Sequence, residues 1–466
     1  MSQVTPPTEP LEPPVSEPVG EVITKQEDAN PPDIRGGIGV FFSGGALSFV
    51  LVAAIALFGL LFWRGAQAFW PRPLTEWTME NGQVFLVQEF ETKADGSIRA
   101  RIANREFQPG RLDFVAEQPE LITSRTKPEN AVRIERTENG PFHGYLLGEG
   151  TNDEGVTGLN VKRPNGEEIF LPDDSVLRVQ YPNQLSFFGR VGTWLANLGR
   201  FIIEKPREAN TEGGVLSPLV GTALMVFLMT LMVMPFGVLA AVYLNEYAKD
   251  SWFTRVCRVA VNNLAGVPSI VYGVFGLGFL IYGLGDTIDH VFLGVGEGDP
   301  SIFGNPGLLW ASVTMALLTV PVVVVATEEG LRAVPREQRD GALALGATRW
   351  EMLSRVILPG AKPGILTGAI LAISRAAGEV APLMLTGVVG LEQELPINAE
   401  PPFIHLQERF MHLGFHIYAV GFQSPNVEAS EPLVYATASL LLVLVISLNL
   451  VAIRWRTKVR RSLQGR

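Results

Sequence analysis

The chain has 466 residues, 37 basic and 47 acidic, giving a formal net charge of −10 and a pI near 5.2. Only 18% of residues are charged, against roughly 25% in soluble domains, and the apolar residues are concentrated in long runs. That excludes an ordinary soluble enzyme, and the acidic balance without a basic stripe excludes a nucleic-acid partner. The lone Cys257 cannot form an internal disulfide, and no Cys/His cluster has zinc spacing, so no cofactor or metal is expected.

Residues 1–35 hold eight prolines, seven acidic residues and no aromatic. Such a segment cannot bury enough apolar surface to offset its ordering entropy, which predicts a disordered acidic tail. Residues 36–64 contain the first of six stretches long and apolar enough to cross a bilayer, at about 38–63. It lacks a basic leader and exceeds the apolar core of a signal peptide, which predicts an uncleaved anchor.

Residues 65–214 separate this span from the rest. Short runs such as Val84–Val87, Ile98–Ile102, Ile169–Leu171 and Val176–Val179 alternate with Gly, Pro, Asn and Asp clusters, so 70–184 read as a β-rich domain. Residues 185–203 read as an amphipathic helix, with Leu185, Phe188, Val191, Leu195, Leu198 and Ile202 three or four apart. Either it lies in the membrane interface, with Phe187, Phe188, Trp194 and Phe201 at headgroup depth, or it packs on the β domain.

Five further spans are predicted at about 215–244, 259–284, 307–327, 365–390 and 432–453. The loops 245–258 and 328–364 and the tail 454–466 together carry 15 basic residues. The alternate loops, 285–306 and 391–431, carry Arg409 alone against ten acids. Basic residues mark the cytoplasmic side, so both termini, including the basic tail 456–466, are expected inside and the β-rich insertion outside. The acidic outer loops are either only the complement of that basic bias or compatible with delivery of cargo by a separate binding protein docked on the outer face.

The segment 335–359 is the most informative. Pro335 suits a first helical position and Gly346 the residue just past a helix end. Thr348 and Glu351 then form a capping box that starts a second helix, which Pro359 should limit. A helix, a glycine break and a helix on the inner surface make a short lever joined directly to the next span.

The string Asp340-Gly341-Ala342, three residues, Gly346, nine residues, then Val356-Ile357-Leu358-Pro359 resembles the EAA loop of ABC-importer permeases. It departs from the pattern at Asp340, Gly341 and Val356, and Gly341 should cost its helix up to about 1 kcal/mol relative to Ala. Three other segments narrow the resemblance to phosphate-importer permeases. Asn263–Gly273 resembles their third span and Arg375–Pro382 their fifth, and Phe410–His416 with Gly421–Asn426 resembles the PstA-type subunit rather than its PstC-type partner.

The resemblance covers roughly 215–455 and implies an all-α integral membrane bundle of six helices with the type I ABC importer permease fold, interrupted by the extracytoplasmic β-rich insertion between helices 1 and 2. It implies that Asp340, Gly341, Ala342, Gly346, Leu358 and Pro359 engage a groove of a separate ATPase. It also implies a PstC-type second permease, two copies of an ATP-binding subunit, a periplasmic phosphate-binding protein, surrounding lipid, and inorganic phosphate as cargo. No Gly-x-x-x-x-Gly-Lys-Ser/Thr loop occurs, so the chain is not expected to be an enzyme.

Arg375 lies about 11 residues into the predicted fifth span, about 16 Å deep and near the midplane. A charge there costs roughly 2.5–3.5 kcal/mol on insertion scales. Glu379, four residues on, shares its helix face and can pair with it. The pair is either a structural clamp or a transport site, in which the arginine fork replaces part of an oxyanion's hydration. The resemblance favours the transport site, with Ser374 and Ser269 as further lining. Gly266, Gly273, Gly276 and Gly278 suit close helix packing, and Pro235 and Pro268 suit kinks. His412 and His416, with His405 and Glu408 nearby, have metal-compatible spacing but no catalytic surroundings. Two other classes fit less well: an anion channel or secondary transporter acting without an ATPase, and a membrane-anchored sensor, which would need a cytoplasmic output domain.

Overall fold

The computed structural model describes residues 38–107, 114–152, 154–210, 212–296, 299–387, 395–399, 401, 403–424 and 427–464. The expected disordered tail 1–35 therefore lies outside the described residues, as do Pro425 and Asn426 of the PstA-like segment. Helix α1 runs Ile38–Gln67. The chain divides into two compact units at Leu57/Phe58. The first unit presents Phe41, Phe42 and Phe49 as exposed side chains.

In the second unit, residues 74–180 build two antiparallel five-stranded sheets. The first contains β1 (Leu74–Met79), β2 (Val84–Thr92), β3 (Ile98–Arg101), β4 (Phe114–Glu117) and β5 (Ile122–Thr126), in the order β4-β3-β2-β1-β5. The second contains β6 (Ala131–Arg136), β7 (Phe142–Thr151), β8 (Thr157–Lys162), β9 (Glu168–Pro172) and β10 (Val176–Gln180), in the order β10-β6-β7-β8-β9. The alternation read from the sequence places Trp77, Val87 and Ile98 in one core and Ile134, Phe142 and Val161 in another. The buried His143 ring on β7 lies 3.0 Å from the Leu86 carbonyl on β2 and so bridges the two sheets. Burial, with Arg133 nearby, pushes that ring down to about 3.

Helix α2 (Phe187–Ile203) follows, capped by Ser186, whose hydroxyl accepts from the Gly189 amide at 3.2 Å. Its aromatic set divides. Trp194 donates to the Ala66 carbonyl at 2.8 Å and Phe201 is buried, whereas Phe187 and Phe188 are exposed. Trp194 and Phe201 thus face the protein, with α2 packing its inner side on the end of α1, while Phe187 and Phe188 face outward.

Among the described residues six helices are long and apolar enough to cross a membrane: Phe41–Gln67, Leu216–Tyr247, Ser269–Leu293, Leu308–Arg332, Arg349–Gly378 and Ser430–Ser462. Among them α3 (Leu216–Val242) contains Pro235 without interruption. The third span begins later than the predicted 259. Helix α4 (Trp252–Leu264) stops, residues 265–268 turn, and α5 (Ser269–Phe275) restarts after Pro268, continuing as π-helix through Gly276–Gly285. Pro268 thus ends one helix and starts another rather than kinking one, because its missing N–H and fixed φ suit a first turn and not an interior.

The bundle is assembled around α6 (Leu308–Arg332). Its buried face, including Met315, Leu318 and Val323, meets Met225 and Met229 of α3 and Ala372 and Ala376 of the fifth span. Small residues permit close approach: a Cβ at Gly237 would stand 2.6 Å from Val323, and one at Gly364 would stand 2.4 Å from the Gly330 Cα. Of the four third-span glycines expected to pack, Gly273 and Gly276 do so, against Pro382 and Thr314, while Gly278 has open space and Gly266 meets only its own turn.

Candidate transport site and coupling lever

The inner lever begins with α7 (Arg336–Ala344). Gly346 follows at φ +84°, a left-handed conformation that glycine adopts without strain. Thr348 then caps α8 (Arg349–Met352): its hydroxyl accepts from the Glu351 amide at 3.2 Å, and the Glu351 carboxylate accepts from the Thr348 amide at 3.0 Å. Pro359 does not limit this second helix. The chain continues through a π stretch, Leu353–Ile357, into α9 (Leu358–Gly378). The wider turn relieves the clash that the proline ring would make with a preceding carbonyl. The second helix of the lever and the span are one unbroken 30-residue helix, Arg349–Gly378.

The lever's tip is exposed and its base is rooted. Asp340, Gly341 and Gly346 are exposed and Ala342 is half-buried. Leu345 is 90% exposed and Trp350 65%. At the base, Leu353 and Ile357 are buried with Ala241, Val324, Leu331 and Ala361, contributed by three spans. Leu358 packs against that cluster and Pro359 is half-buried beside it. Arg339 adds a polar tie absent from the motif reading: its guanidinium lies 2.8 Å from Glu246, past the end of α3, and donates to the Leu331 carbonyl of α6 at 2.5 Å. Glu246 is 93 residues away in sequence, so no local spacing pointed to this contact.

At its other end α9 stops at Gly378, and Glu379 is extended at φ −80° and ψ 141°. The fifth span predicted to 390 is therefore shorter, and Arg375 sits in the last turn of its helix. Its depth follows from packing rather than from counting within the predicted span. Gly368 packs on Val323 of α6, and Arg375 is seven residues further on, about 10 Å nearer the Leu308 end. That places it within about two turns of the middle of α6. The third span restarts at a comparable level, since Gly273 packs on Pro382 and Gly276 on Thr314 and Thr386. Two broken helices thus meet within the bundle.

Arg375 Nε lies 3.8 Å from Glu379 Oε1, with the two side chains 30% and 23% exposed. The predicted pair is present, but it is a loose ion pair rather than a hydrogen bond, and it is half-buried rather than sealed in. Tyr272 stands within electrostatic reach of Arg375 and donates to the Leu264 carbonyl at 2.7 Å, stapling the break in the third span. Ser374 is committed elsewhere: its Oγ lies 2.8 Å from Asn449 Oδ1 on α10 (Val427–Gln464). Asn449 was legible as a lone amide in an apolar run. Ser269 is half-buried at the start of α5 and makes no side-chain hydrogen bond among the described residues.

The histidines are held structurally. Buried His412 accepts from the Gly414 amide at 3.0 Å, and buried His416 lies 3.4 Å from Thr437 Oγ1. Among the described residues no group of three or more His, Cys, Asp or Glu could hold a metal. One of the acids counted in the loop 285–306, Asp289, is fully buried and accepts from the amides of Ile302, Phe303 and Gly304, so it clamps its loop and adds nothing to an acidic surface there.

Residues 215–464 match the family described as binding-protein-dependent transport system inner membrane component. The chain belongs to this family. It is therefore a multi-pass membrane permease, and its similarities lie with the PstA type. It is 35% identical over 41% of its length to "Phosphate transport system permease protein PstA" of Yersinia pestis, spanning 59% of that protein. It is 34% identical over 52% of its length to the PstA protein of Haemophilus influenzae, spanning 75% of it. Among solved structures, the inward-facing MetNI methionine ABC transporter is 20% identical with a TM-score of 0.36, covering 53% of this chain and 94% of that one. The family match begins at 215, so the two β-sheets lie outside it.

Proposed function

We propose that the chain is one permease subunit of an ATP-driven importer of inorganic phosphate, and that it forms half of the translocation pathway. The observation that carries this reading is the half-exposed Arg375–Glu379 pair at the point where α9 ends inside the bundle. A guanidinium there has room to change partners. Glu379 holds it loosely between turnovers, and a phosphate oxyanion takes bidentate bonds from it during passage. Ser269 and Ser374 contribute less, the latter already bound to Asn449.

Energy comes from a separate ATPase, of which two copies serve this subunit and a similar PstC-type partner. ATP binding closes the ATPases, and the tip formed by Asp340, Gly341, Ala342 and Gly346 moves with them. Across the Gly346 turn, α8, Leu358 and Pro359 transmit that movement along the span, because the backbone is helical from Arg349 to Gly378. A periplasmic binding protein delivers phosphate on the outer side, where the β-rich insertion also lies, and both termini are cytoplasmic. The exposed Leu345 and Trp350 suit a groove on a soluble partner.

The test is uptake of labelled phosphate into vesicles holding the purified complex. Uptake that requires internal ATP and is stopped by vanadate is expected. Uptake by the membrane subunits alone, driven by an ion gradient, would replace this reading with a secondary transporter.

A further inference from the structure

Where the β-sheets meet the helices, Arg72, Arg101, Arg133, Arg178, Arg200 and Arg207 line one cavity of about 180 Å³. Glu135, Glu204 and Glu212 also line it, so six guanidinium groups face three carboxylates. The carboxylates are spent on some of the arginines. Arg178 lies 3.1 Å from Glu135 and also pairs with Glu204, Arg207 lies 3.4 Å from Glu204, and Arg101 pairs with Glu212.

The others are less well served. Arg133 comes only within 3.7 Å of Glu135, and its Nε is buried without a hydrogen-bond partner. Arg72 donates to the backbone carbonyls of Glu89 and Phe90, and the acid that acts on its charge, Glu91, is also paired with Arg99. Arg200 donates to the amide oxygen of Asn197 at 3.2 Å. Burial lowers Arg72 and Arg133 from the usual arginine range. Arginine does not shed its proton to escape such a site. Six guanidinium groups on three lining carboxylates, with the nearby Glu91 already paired to Arg99, leave a net positive and partly buried surface that calls for an anion.

We propose that this cluster binds a phosphate-class oxyanion. Its oxygens accept from Arg133 on β6, Arg200 on α2 and Arg72 in the connection between α1 and β1, which line the same cavity. The chemistry has two sources. A second cavity of about 1100 Å³ shares Arg72, Phe90 and Pro432 with the first and is lined by Leu60, Trp63, Trp194 and Tyr435. Tryptophan and tyrosine at a span's end mark the headgroup level, so the phosphate of an anionic phospholipid reaches the arginines while its chains occupy the apolar lobe. Free inorganic phosphate reaches the same groups from water.

The full-length chain, purified in detergent and carrying Arg375→Gln to silence the proposed transport site, separates these cases. Inorganic phosphate is titrated by thermal shift against chloride, and phosphatidylglycerol retention is measured by native mass spectrometry after passage through mixed phosphatidylglycerol and phosphatidylcholine vesicles. At least one ligand is expected to bind saturably, and Arg133→Gln is expected to weaken it about tenfold or more, the value of a charge-assisted hydrogen bond. Arg200→Gln, on the surface helix α2, provides the same readout without touching a sheet. Phosphate binding alone assigns the free anion, and retained phosphatidylglycerol assigns the headgroup. Failure of both ligands to bind, or binding indifferent to both substitutions, overturns the proposal. Because Arg375 is already absent, either result is independent of the transport reading.

Discussion

The two ends of the fifth span invert what their residues suggest. At the lever end a proline stands where the helix should stop, and the helix continues. At the site end no proline intervenes before Pro382, yet the helix stops at Gly378. The difference lies in what each end packs against. Leu353, Ile357 and Ala361 are buried against two other spans, and that burial holds the backbone helical through a π turn. At Gly378 the chain must bring Pro382 and Leu385 against Gly273 of the restarted third span, and a continuing helix would carry them past it. Tertiary contact overrides local punctuation in both directions, once to sustain a helix and once to end it.

The largest expected effect tests the site end. Arg375→Gln should reduce phosphate uptake by at least about a hundredfold while the complex still assembles, since it removes the charge that would meet the oxyanion. Glu379→Gln should leave binding intact and slow release, because the loose 3.8 Å pair no longer competes for the guanidinium. Single-turnover uptake separates the two variants. Wild-type uptake in Arg375→Gln would reduce the pair to a structural clamp and leave the two ends differing only in shape.

Arg339→Ala attacks the lever end. It leaves Glu246, whose side chain is only 10% exposed, without its charge partner and with Asn245 Nδ2 as a neutral donor at 2.7 Å, and it removes the tie between the lever and two neighbouring spans. A loss of about 2 kcal/mol is expected, discounted from the cost of breaking a fully buried pair because both groups touch solvent. Thermal denaturation measures this, and Glu246→Gln should recover part of it in the double variant. If ATPase activity also rises without uptake, force passes through Arg339 as well as through the helix axis. If uptake survives, the continuous backbone suffices.

Much of this arrangement was legible beforehand. The six spans, the strand alternation, the capping box and the Arg375–Glu379 pair all rest on periodicity or short spacing, where residues near in sequence decide the geometry. The misses share a different cause. Pro359 and Gly378 depend on which distant helix is packed alongside. Arg339 with Glu246, Tyr272 beside Arg375, and Ser374 with Asn449 join residues 75 or more apart. A pattern within one span cannot name a partner on another. Asn449 was passed over as well, although an amide in an apolar run signals that some partner exists without saying which.

Gly346→Val is expected to have a smaller effect. Nothing lies within 4 Å of where its Cβ would point, so the obstacle is the φ of +84° and not space. A β-branched residue there costs on the order of 1–2 kcal/mol and tilts α7 against α8. Coupling, read as phosphate moved per ATP hydrolysed, should fall while the fold and the Arg375 site persist. Unchanged stoichiometry would place the working surface on α8 alone.

Gly341→Ala is the smallest change and the finest probe of the lever. Gly341 is exposed, and an added methyl meets nothing within 4 Å. It should therefore gain the full helix propensity, up to about 1 kcal/mol, and raise the melting temperature by roughly 2 °C. Within the free subunit there is no steric route by which that methyl could do harm. If uptake nevertheless falls, the clash must come from outside the chain, and the surface that seats on α7 has been shaped to a missing side chain. If uptake holds or rises, the glycine loosens the lever without serving the contact, and the rigidity that carries force past Pro359 resides in α8 and α9.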